Sequence, residues 1–139
     1  MERVPQYIHL VPGSLPPALQ NQPTRTLVVL DQLVDTEWQH SVSRWLLQTG
    51  CLYMLAWGAG CSSWDDSVDL ANLEIFDYGE IPEGSDALTT WHADEPLAEC
   101  LWFVKNSAVH PSVELERTVI VHIGQVARQG ALLAAYAEA

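Results

Sequence analysis

Positive charge is scarce in this chain. Six Lys and Arg stand against 18 Asp and Glu, a formal net charge of −12. Nucleic acids and anionic membrane surfaces are both held chiefly by cationic side chains, so neither is expected as a partner. Cysteine is sparse as well. Cys51, Cys61 and Cys100 are odd in number and widely spaced, which allows neither a complete disulfide set nor a CxxC metal knuckle. Long hydrophobic runs are missing too: the longest, Cys51 to Cys61, has 11 residues and contains Gly58 and Gly60, whereas a membrane-spanning helix needs about 20. Met1 to Gly13 lacks a cationic start followed by an apolar run, so no secretory signal and a cytoplasmic location are expected. Gly58-Ala59-Gly60 lacks the third glycine of GxGxxG and the Lys of a phosphate-binding loop. No cofactor and no metal ion are therefore expected.

What is present suits a folded domain. Apolar residues make up 48% of 139 and charged residues only 17%, a balance unlike that of disordered chains and a length typical of one compact domain. Residues 1–24 hold five of the eight prolines and read as an extended arm, within which Gln6 to Val11 fits a short edge strand. Residues 25–139 read as a single α/β domain. Continuous apolar runs at 27–30, 52–57 and 118–123 suit strands covered on both faces, with a shorter strand at Leu88 to Trp91. Between them, Trp38, Val42, Trp45 and Leu46 share one helical face behind a cap at Asp35 or Thr36. Trp64, Val68, Ala71 and Ile75 share another behind Ser62 or Ser63, and Leu97, Cys100, Leu101 and Val104 a third behind a cap at Asp94. Gln125 to Ala137 completes the set as an Ala- and Leu-rich helix. Strands alternating with helices predict a three-layer sandwich with a mostly parallel sheet of about four core strands.

In such folds ligands sit in the crevice outside the carboxyl ends of the strands. The predicted strands place Asp31, His92 with Asp94, and His122 near that edge. An imidazole beside carboxylates there can do general acid–base work or hold a divalent cation, with His92 as acid or base and Asp31 or Asp94 as its partner. Each residue also has a plainer reading: Asp31 as a turn residue, Asp94 as a helix cap, His122 as a satisfied core histidine. A different signal lies between Cys61 and Glu99, which hold 11 carboxylates and no Lys or Arg. Asp65, Asp66 and Asp69, with Trp64 as an aromatic anchor, are the expected contact residues there.

Charge of one sign speeds encounter with a partner of the other sign and suppresses wrong ones. The expected function is therefore non-enzymatic binding of a basic protein partner, an immunity- or antitoxin-like inhibitor being one version. A small hydrolase or metal-dependent enzyme in the strand-end crevice is the alternative. The charge balance makes one prediction directly: a mobility-shift titration at physiological salt, free of added divalent metal, shows no submicromolar binding to DNA or RNA.

Overall fold

A computed structural model describes residues 4–139; the first three residues of the expected arm lie outside it. The elements run β1 (Gln6–Leu10), β2 (Thr24–Leu30), α1 (Thr36–Gln48), β3 (Cys51–Gly58), α2 (Cys61–Ile75), β4 (Leu88–Trp91), α3 (Leu97–Asn106), β5 (Arg117–Ile123) and α4 (Gln129–Glu138). They build one five-stranded sheet in the order β1-β5-β2-β3-β4 with every neighbouring pair parallel. This is the expected three-layer α/β sandwich, and the three apolar runs lie side by side in it as β5, β2 and β3.

The continuous apolar runs follow from burial on both faces. Along β2 and β5 alternate side chains feed opposite cores. Val28, Leu30, Val119, Val121 and Ile123 pack with Val42 and Leu46 of α1 and with Trp64 and Val68 of α2. Leu27, Val29 and Ile120 pack with Cys100, Leu101 and Val104 of α3 and with Leu132 and Tyr136 of α4. Among the described residues no helix is long and apolar enough to cross a membrane.

Helix starts differ in part from expectation. Asp35 does cap α1, its carboxylate accepting from the backbone N–H groups of Glu37 and Trp38 at 3.1 and 3.2 Å. At α2 the residue before the helix is Gly60, in a left-handed conformation only glycine adopts freely, so neither Ser62 nor Ser63 precedes it. Asp94 does not cap α3. Pro96 holds that position, and Asp94 stands in the preceding turn at φ 61°, which a short polar side chain tolerates. The last helix begins at Gln129, four residues later than its composition implies.

The amino-terminal segment is divided by the fold. Gln6–Leu10 pairs with β5 as the edge strand β1. The proline-rich stretch after it runs along α1, where the indole N–H groups of Trp38 and Trp45 donate to the carbonyls of Ser14 and Pro17 at 2.8 and 2.7 Å. Proline offers no amide proton but keeps its carbonyl, and the two tryptophans supply the donors.

From β2 the chain steps outward to β3 and β4 by way of α1 and α2 on one face. It then returns through α3 on the other face to lay β5 against the far side of β2. The direction of winding reverses between β2 and β5, the position where open parallel sheets leave a crevice. At the neighbouring β2–β3 strand end the backbones come so close that a Cβ on Gly58 (φ +110°) would stand 2.2 Å from the carbonyl oxygen of Leu30. Gly58→Ala is expected to destabilise by about 2 kcal/mol or more, since left-handed strain alone costs about 1–3. Gly130→Ala, which meets nothing within 4 Å in helix α4, is expected to be neutral or to gain up to about 1 kcal/mol. Urea denaturation of the two variants checks both.

Candidate functional site

The reversal point is occupied by a chain of hydrogen bonds. His122 lies one residue before the end of β5, on the face covered by α3 and α4, and is fully buried. Its Nε2 lies 2.6 Å from Oδ2 of Asp31, the first residue beyond β2, and its Nδ1 lies 2.7 Å from the hydroxyl of Tyr7 on β1. Arg128, just before α4, closes the group twice: its guanidinium donates to Oδ1 of Asp31 at 2.7 Å and its backbone N–H to the Tyr7 oxygen at 2.9 Å. His9, paired in register with His122, stacks on it at 5.4 Å between ring centroids and reaches the Gly124 carbonyl at 2.8 Å. Gly124 is needed for space, because a Cβ there would lie 2.5 Å from Asp31 Oδ2.

Burial pushes the Asp31 carboxyl up, but the hydrogen bonds and charges of His122 and Arg128 outweigh it and hold the group below its usual value. Asp31 is thus a carboxylate at neutral pH and accepts from the Nε2–H of His122. With a neutral imidazole the Nδ1 of His122 accepts from Tyr7 in turn, and proton donation then runs from Tyr7 to His122 to Asp31. Such a chain has the connectivity of a general-base relay ending on the Tyr7 oxygen. It is also closed. Both Asp31 oxygens and both His122 nitrogens are engaged by side chains of the chain itself, and the group braces β1, β2, β5 and the entry to α4.

His92 stands apart. It follows β4, three strand spacings from β5, or roughly 14 Å at about 4.8 Å per strand. Its partner is neither Asp31 nor Asp94. Nδ1 meets the carboxylate of Glu95, Nε2 lies 3.0 Å from the Thr90 hydroxyl, and the ring leans on Phe103. Trp57 fixes the turn by donating its indole N–H to the Glu95 carbonyl at 2.8 Å. A cavity of about 300 Å³ opens here, lined by His92, Glu95, Glu99, Trp102 and Phe103. Asp94, exposed in the same turn, does not line it.

The acidic residues of α2 divide as well. Asp65 and Asp69 both approach the hydroxyl of Thr89 on β4, Asp69 at 3.0 Å. One hydroxyl proton serves two carboxylates, and Asp69 is raised by partial burial first and by repulsion from Asp65 and Asp66 after it. Asp66 faces solvent. Trp64, expected as an anchor, is 1% exposed: its place on the inner stripe of α2 puts it in the core, where it can touch no partner. Trp91 and Trp102, at 49% and 54%, are the exposed tryptophans.

Tyr7, His9 and Arg128 were not expected in the His122 group, whereas Glu95 belongs to the 92–95 run that is the densest mix of potential ligands in the sequence. The alternation of Tyr7 and His9 marks one face of a strand, but the strand that β1 joins is set by pairing across more than 100 residues.

The depressed Asp31 carboxyl makes a pH-dependent prediction. A group held low when folded stabilises above its unfolded pKa, near 3.8, and that contribution fades as pH falls through the folded value. Asp31→Asn is expected to cost about 1–2 kcal/mol at pH 7. The gap to the parent should narrow below pH ~3.8 as the native carboxyl also protonates. Urea midpoints of both proteins at pH 7 and in the acid limb measure it.

No curated protein and no solved structure matches the chain. The profile of one family, described as "Domain of unknown function (DUF7684)", matches residues 5–139, every element from β1 to α4, and the chain belongs to that family.

Proposed function

We propose that this protein is a binding module for a basic protein, engaged along the β4 edge of the sheet, with an immunity- or antitoxin-like inhibitor as one form of that role. The observation that carries the reading is where the fold puts the acidic segment. Cys61 to Glu99, with its 11 carboxylates, comprises α2, the loop after it, β4 and the entry to α3, and so wraps one edge of the molecule. The described cations stand elsewhere: Arg25, Arg44, Arg117 and Arg128 belong to β2, α1, β5 and the approach to α4. Lys105, at the far end of α3, donates to the last carbonyls of α4.

The edge is not uniformly polar. On α2, exposed Leu70, Leu73 and Ile75 stand among Asp66, Asp69 and Asp77, and Trp91 and Trp102 lie beside the edge strand. Exposed carboxylates steer a cationic partner, and aromatic and aliphatic side chains hold it once docked. The cytosol suits this role, since all three cysteines are free and buried thiols.

A second reading, a small acid–base enzyme at the reversal of the sheet, draws on the Tyr7–His122–Asp31 relay. Its closure by Arg128 favours the structural role, because a working base keeps one position for substrate.

The test is kinetic. A partner captured on the immobilised protein at low salt is purified and its binding measured from about 50 to 300 mM salt. Association with the Asp65, Asp66 and Asp69 to Asn triple variant is expected to slow severalfold with dissociation little changed. Stability should hold, since the substitutions relieve the repulsion that raises Asp69. An association rate indifferent to salt and to these substitutions rejects the reading. Turnover by the isolated protein that is lost in Tyr7→Phe would establish the enzyme instead.

A further inference from the structure

The cavity at the end of β4 lies on the edge proposed to meet a partner, and beside it stands a group of side chains with a different chemistry. His92, Glu95 and Cys100 each present one ligand atom, and the three atoms lie within 4.8 Å of one another. Two come from the turn that joins β4 to α3 and the third from the first turns of α3 itself. Nitrogen, carboxylate oxygen and sulfur together are a ligand set for Zn²⁺ or a similar borderline divalent ion.

Two further observations point to a ligand at this place. The first is the imidazole's second nitrogen. Nδ1 faces Glu95 and the interior of the group, while Nε2 is already held by the Thr90 hydroxyl at 3.0 Å. Metal-ligating histidines are oriented in this manner by a partner on the nitrogen that does not bind metal. The second is the cavity of about 300 Å³, walled by His92, Glu95, Glu99, Trp102 and Phe103. It opens beside His92 and Glu95, whereas Cys100 is fully buried and does not line it.

We propose that His92 Nδ1, a Glu95 carboxylate oxygen and Cys100 Sγ form a Zn²⁺ site whose remaining position faces the cavity. Three protein ligands with one open position is the arrangement of zinc ions that bind an exchangeable water or an outside ligand. On binding, the imidazole carries its one proton on Nε2, which donates to the Thr90 oxygen. The Cys100 thiol gives its proton to solvent and coordinates as thiolate. Burial and then the Glu95 charge push that thiol up to about 12 without metal, and a coordinating cation reverses this. The ion would also tie the end of β4 to α3.

The experiment needs no partner, so it stands or falls independently of the basic-protein reading. The full chain, without an affinity tag and stripped of metal, is titrated with Zn²⁺ against a chromogenic chelator, and with Co²⁺ as a spectroscopic substitute. One ion per chain is expected, with a thiolate-to-cobalt charge-transfer band in the near ultraviolet. His92→Gln and Cys100→Ser should each weaken Zn²⁺ binding at least about 10- to 100-fold, the loss that follows even when only the outer partner of a ligand is changed. Cys51→Ser and the Asp65, Asp66 and Asp69 to Asn triple variant should leave it unchanged. The cobalt spectrum of the natural chain decides the matter even if Cys100→Ser folds poorly. Binding below one equivalent, a cobalt adduct without the thiolate band, or undiminished affinity in His92→Gln would overturn the proposal.

Discussion

A sheet built wholly of parallel strands has to be covered on both faces, and the other features of this molecule follow from that requirement. Each connection between parallel neighbours must cross over the sheet, so the helices arrive as part of the same solution. Two apolar layers result, one under α1 and α2 and one under α3 and α4. Along the central strands there is no room for polar side chains that lack partners. Chemistry is pushed to the carboxyl ends, where the strands stop and backbone turns begin.

The two chemical groups found there answer that pressure in different ways. Around His122 the demand for partners is met completely from within: a carboxylate, a phenol, a guanidinium and a backbone amide close on one buried imidazole. The result joins three strands and the entry to α4. Around His92 the group is smaller and stays open on one side, because β4 is an edge strand of four residues and no further strand shields it. An interior position yields a brace, and an edge position yields a place that other molecules can reach.

Legibility in the sequence tracks the range of the interactions concerned. The runs at 27–30, 52–57 and 118–123 read correctly because burial on both faces demands continuous apolar residues within one short segment. The start of α1 was legible to within one residue, Asp35 or Thr36, because the cap's partners are two and three residues away. A start of α3 at Asp94 was not, since the helix starts later, with Pro96 at the cap position and Asp94 in the turn before it. Asp31 and His122 were placed at the right edge but without their mutual contact, which depends on β5 inserting beside β2 and not beyond β4. Trp64 misled because the same helical stripe that marks a core face also holds large aromatic residues. Nothing local announces Tyr7 as the partner of His122, 115 positions away.

The position of β1 bears on the order in which the molecule can be made. Among the described residues its one neighbour in the sheet is β5, with Gln6 opposite Val119. A ribosome delivers β1 more than 100 residues before its docking site, so β1 must wait unpaired until β5 has been made. Pairing of this kind closes a loop of more than 100 residues and belongs to the slow end of folding. The prolines that follow β1 are suited to that wait. They have no amide protons with which to join a neighbouring strand, and they keep an apolar segment from pairing with the wrong edge before its own arrives.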